Sequence, residues 1–104
     1  MFVKVSASGG VSLEDPNNFR AFKVVVEGDP AAIDNARRAL VGLADVSDKE
    51  TAWVFEAGLR KCTEVANDAA WQGALGTMIE KARPHGWVDD ARKAIRAHIE
   101  WVRA

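Results

Sequence analysis

The spacing of apolar residues changes once along this chain, at Glu27-Gly28-Asp29-Pro30. Before that point they recur at every second position, the repeat of a strand with one face buried. Beyond it they recur every third or fourth, the repeat of an amphipathic helix. A chain with this change of period is expected to be α+β: an N-terminal antiparallel sheet of two strands, three at most, followed by three to four amphipathic helices. Residues 1–104 read as a single domain, β-rich over 1–28 and helical over 29–104.

In the β-rich part, Val3, Val5 and Ala7 alternate with Phe2, Lys4 and Ser6. Ser8-Gly9-Gly10 breaks that strand. Residues 11–18 read as irregular, closing on a turn at Asp15-Pro16-Asn17-Asn18, where proline presets φ and asparagine tolerates left-handed backbone. A second strand is expected over 19–27, with Phe22, Val24 and Val26 on one face. Its β-branched run Val24-Val25-Val26 suits a pleated surface.

Asp29 and Pro30 open the first expected helix, with Ile33, Ala36, Leu40 and Leu43 as its stripe. Ser47-Asp48-Lys49-Glu50 has the form of a capping box. Ala52, Phe55, Leu59, Cys62, Ala66 and Ala69 follow at helical spacing. A competing reading takes Thr51–Leu59 as a strand, with Trp53, Phe55, Ala57 and Leu59 on one face. Asp68 caps a further helix running to Arg83, buried along Trp71, Leu75, Met78, Ile79 and Ala82. Its Gly73 and Gly76 suggest close approach of another backbone. Pro84-His85-Gly86 stops it. A last helix is expected from Asp89-Asp90 to Arg103, with Ala91, Ile95, His98, Ile99 and Val102 inward.

Net charge is −1, without a basic run. Duplex nucleic acid and anionic membranes ordinarily demand a basic excess, so neither is an expected partner. No apolar run reaches the ~18 residues of a membrane span, and the N-terminus lacks the pattern of a signal peptide. One cysteine, Cys62, gives no intrachain disulfide. These features point to a cytoplasmic protein.

Motifs that would name a chemistry are missing. Two histidines thirteen residues apart and one cysteine make no metal-ligand spacing, so neither metal nor cofactor is expected. Ser6-Ala7-Ser8-Gly9-Gly10 lacks the spacing of a phosphate loop. Cys62, on an apolar stripe, reads as an inert buried thiol. Glu56, Arg60 and Glu64, and likewise Asp89, Arg92 and Arg96, read as solvated charge ladders. His85 reads as a loop residue in a Pro-His-Gly turn. The run from Val24 to Ile33 resembles strand-turn-helix joints of ferredoxin-like and KH-like domains. The phosphate-gripping GxxG loop of KH domains is absent, so that resemblance implies no RNA role.

Two functional readings follow. The leading one is a small self-associating module, a homodimer built on the bare Phe22–Val26 strand edge or on helical faces. It binds a protein partner or an apolar small ligand through its four tryptophans. The alternative is a general acid–base enzyme with His98 as catalytic base. Trp53, Trp71 or Trp101 would wall its pocket, and Arg20 or Arg60 would anchor an anion. A pocket reached by His98 beside a charged neighbour favours the second. His98 sealed in packing under a flat tryptophan patch favours the first.

Overall fold

The computed structural model describes residues 1–103, and these are organised around one seven-stranded sheet. Its strands are β1 (Phe2–Val5), β2 (Val11–Glu14), β3 (Lys23–Glu27), β4 (Ala44–Val46), β5 (Thr51–Phe55), β6 (Val88–Asp89) and β7 (Ala94–Val102). Its helices are α1 (Ile33–Ala39), α2 (Glu56–Arg60) and α3 (Ala69–Ala82). The strands form one curled mixed sheet in the order β2-β1-β3-β7-β5-β4, with β6 also on β7. β1, β3 and β7 run parallel, whereas β2, β5 and β6 are each antiparallel to their neighbours.

Side chains alternate across this sheet, and one face holds the core. Val3 and Val5, Val24 and Val26, Ala52 and Val54, and Ile95, Ala97 and Ile99 all point to that face and are buried. Ala36 and Leu40 from α1, Leu59 from α2, and Trp71, Leu75 and Ile79 from α3 close over it. The other face carries Lys4, Lys23, Trp53, Arg96, His98 and Glu100 and has no helix upon it. The radius of gyration, 13.0 Å, is that of one packed domain of this length. No helix among the described residues is long and apolar enough to cross a membrane.

The expected layout of a two-stranded sheet and three to four amphipathic helices is therefore wrong. Four of the seven strands lie beyond Pro30, in the part expected to be helical. The largest reversal is β7. Residues 94–102 satisfy the helical spacing through Ile95, Ile99 and Val102, but they satisfy strict alternation better. Ile95, Ala97 and Ile99 turn inward while Arg96, His98 and Glu100 turn out. β7 sits between β5 and β3, so its backbone groups find partners on both edges. Thr51–Phe55 is likewise extended, as the competing reading held, but with Ala52 and Val54 as its buried side.

Smaller corrections share this cause. β1 and β3 pair in parallel rather than as a hairpin, because the expected irregular stretch supplies β2. The second strand begins at Lys23, so residues 19–22 are loop. Ser47-Asp48-Lys49-Glu50 forms the β4–β5 turn instead of a helix cap, with Asp48 Oδ1 accepting from Glu50 and Thr51 N–H at 2.8 and 2.9 Å. α3 is as read, its Asp68 cap accepting from Trp71 N–H at 3.0 Å. Gly73 and Gly76 meet no other backbone. The glycine that does is Gly58, where a Cβ would lie 2.7 Å from the Gly42 carbonyl oxygen.

A cleft at a break in the sheet

β7 is longer than any strand beside it, and this creates a sizeable cleft. One edge of β7 is covered by β5 from Ala94 to His98. The opposite edge is shared. β6 covers Ala94 and Ile95, and β3 takes over only at His98. The handover is incomplete. Arg96 N–H donates to the Trp87 carbonyl at 2.8 Å, but Trp87 N–H turns to the Ala82 carbonyl at 3.4 Å. An antiparallel pair would have returned that bond to Arg96. The Arg96 carbonyl is left facing the break.

The cleft at this break has a volume of about 870 Å³, within the range of small-molecule sites. Inward-facing Ile95 and outward-facing Arg96 and His98 all line it, so it cuts across the edge of β7 from one face to the other. The loop before β3 supplies Phe19, Arg20 and Phe22. The segment after α3 supplies His85 and Trp87. α3 itself contributes Ala74, Thr77, Met78, Lys81 and Ala82, and Glu50 and Thr51 lie beside His98 at the start of β5.

Each wall is tied down. The Met1 amino group donates to the Asn18 and Ala21 carbonyls at 2.7 and 2.9 Å. Burial holds that amine's pKa below its ordinary value. The Trp71 indole donates to the Pro16 carbonyl at 2.7 Å, and its ring packs on Phe19 at 6.0 Å between centroids. On the far side Gly86 adopts left-handed backbone at φ 76°, which lets the chain turn back at once after α3. His85 then stacks on Trp87 at 4.5 Å, and Arg83 pins the turn through Asp90 at 2.9 Å.

The residues singled out from sequence divide sharply. His98 and Arg20 come together in this cleft. His98 is not on the apolar stripe of a helix. It is exposed on the open face of β7, laterally between Lys23 and Thr51. Nearby, Lys23 pairs with Glu100 at 2.6 Å and is the main reason Glu100 titrates below the ordinary carboxylate range. The three tryptophans expected as walls lie elsewhere. Trp71 is core, Trp53 lies under the Arg92 guanidinium at 5.5 Å, and Trp101 donates to the Lys49 carbonyl at 2.7 Å. Arg60 joins α2 to α3, donating to the Gln72 carbonyl and Oε1 at 2.9 and 2.8 Å.

Sequence reasoning missed Trp87, Phe19, Phe22, Met78 and Arg96 as lining. Trp87 carried a signal: it directly follows a Pro-His-Gly stop, where a large aromatic has no helical stripe to join, and it is 47% exposed. Cys62 lies outside the cleft, its thiol raised by burial and then by Glu64. No family model matches the chain, nor does any curated protein or solved structure.

Proposed function

We propose that this protein is a small-molecule-binding domain whose cleft at the β7 break takes a ligand with an apolar, ring-sized body. The observation that carries this reading is the make-up of the lining. Phe19, Phe22, Met78, Trp87 and Ile95 offer apolar surface on several sides, while Arg96, His98 and Thr51 offer polar groups. Apolar walls with a few convergent polar groups are the common form of such sites. Of the two readings drawn from sequence, this keeps the apolar ligand and moves it from Trp53, Trp71 and Trp101 to Trp87.

The test uses N-phenyl-1-naphthylamine, an uncharged apolar dye that brightens on leaving water. Saturable binding of one dye per chain is expected, with transfer of excitation from Trp87. Ala74→Phe and Thr77→Phe place a ring in the cleft from α3 and should weaken binding at least about tenfold. Dye bound equally by these folded variants, or no saturable binding, defeats the reading.

A second reading, acid–base chemistry on the bound molecule, is favoured by the imidazole of His98 opening into the same space. Its check is the His98 ring followed by NMR. Titration that shifts when the cleft is filled supports a proton-handling role, and titration that stays fixed removes it.

A further inference from the structure

Building on the binding reading above, we infer that the ligand is an organic acid: an apolar body bearing an anionic group that Arg20 and Arg96 grip. The reasoning begins with how this chain uses its arginines. Arg37 donates to the Val46 carbonyl and Asp34, and Arg38 to Asn35 and the Asp34 carbonyl. Arg60 holds Gln72 and Glu56, Arg83 holds Asp90 and Glu80, and Arg92 holds Asp45 and Asp89. Every one of these guanidinium groups has a partner inside the fold.

Arg20 and Arg96 are different. Among the described residues neither side chain makes a hydrogen bond or an ion pair, and both line the cleft. Arg103, just past β7 and outside the cleft, is the other arginine in that state. The two cleft arginines come from separate elements, the loop before β3 and the middle of β7. Lys81 adds a third fixed cation from α3. Against these three stands one carboxylate, Glu50. The chain as a whole has a net charge of −1, so this positive excess is local rather than a by-product of composition.

A guanidinium presents paired N–H donors in a plane, which fits a carboxylate, sulfonate or phosphate better than it fits water. Imidazoles donate one N–H even when neutral, so His85 and His98 can serve the same group. Arg20 and Arg96 are themselves exposed, and the apolar body of a bound ligand would keep water from the pair and strengthen it. An uncharged apolar molecule would gain nothing from these cations, and an organic cation would be repelled.

The experiment compares two dyes that differ by one group. 1-Anilinonaphthalene-8-sulfonate is N-phenyl-1-naphthylamine with a sulfonate added. The sulfonate should bind about tenfold tighter or better to the native protein, and added salt should narrow the gap. In the double variant Arg20→Gln, Arg96→Gln the gap should close, while affinity for the uncharged dye is kept. If the uncharged dye binds but the sulfonate is no tighter, the anion inference fails and the binding reading stands. The anion inference fails likewise if the sulfonate's advantage survives the double variant. If neither dye binds, the binding reading itself fails.

Discussion

The sheet is unpaired in two kinds of place, and the protein treats them in opposite ways. At its outer edges several of the bare backbone groups are plugged. Leu13 N–H on β2 faces outward and donates to Glu64 Oε2 at 2.8 Å. On β4 the outward Ala44 N–H is closed by the Leu40 carbonyl at 2.9 Å, and the Val46 carbonyl by Arg37 Nε at 3.2 Å. A carboxylate caps a donor and a guanidinium caps an acceptor, which is how edge strands are kept from pairing with other chains. At the inner break on β7 only the Arg96 N–H is taken, by the Trp87 carbonyl. The Arg96 carbonyl faces open space, and the arginines beside it keep their donors free. Capping and openness are thus distributed, and the open place is the one that also has depth and apolar walls. The strand thought to offer a bare edge, β3, lies inside the sheet between β1 and β7.

The hardest way to break this contrast is to remove what supports both places. Trp71→Ala empties the core under α3 and frees the Phe19–Arg20 wall. It should cost about 3–5 kcal/mol in chemical denaturation and abolish dye binding. Gly58→Ala strikes the frame of the plugged edges alone. The added methyl meets the Gly42 carbonyl just before β4, while α2 leads on to Glu64. A loss of about 1–3 kcal/mol is expected, net of the helical preference of alanine, with dye binding intact in the folded fraction.

Glu64→Ala tests the plug itself. It should cost about 1 kcal/mol, and light scattering should show more self-association than in the native protein. No increase would mean that the carboxylate does not guard the edge. Acid provides a milder version. The Leu13 N–H holds the Glu64 pKa below its ordinary value of 4.5, so the folded state favours the carboxylate. Its contribution is present above that value and is lost as pH falls through the lowered one. The stability gap between the native protein and Glu64→Gln should therefore be widest near neutrality and close in acid. The smallest effect is expected at the open site. Arg96→Gln should change stability by less than about 0.5 kcal/mol, since the side chain has no partner to lose. A clear loss would show that Arg96 serves the fold.

Parts of this layout were legible in the residues, and the misreadings have a common cause. α3 was plain because Asp68 caps it, Pro84 and Gly86 end it, and Trp71, Leu75, Ile79 and Ala82 keep one face over fourteen residues. β1 and β3 were plain because β-branched residues alternate with little competition. β7 was not, because Ile95, Ala97, His98, Ile99 and Val102 contain both periods at once. Over nine residues a period of two and a period of 3.6 share several positions. Ser47–Glu50 failed similarly, since the residues that cap a helix also close a hairpin turn. Of the residues named as site candidates, Arg20 and His98 line the cleft, whereas Trp53, Trp71, Trp101 and Arg60 lie outside it.

Local chemistry alone settled that residues 2–5 and 23–27 extend and how α3 begins and ends, because neighbours a few positions apart decide those. Whether 94–102 coils or extends was decided by β3 and β5 arriving on its two edges, about 75 and about 45 residues away in the chain. The cleft was decided later still. It exists because β7 outruns its neighbours, so that Arg20, Trp87, Arg96 and His98 meet at a handover no single segment encodes.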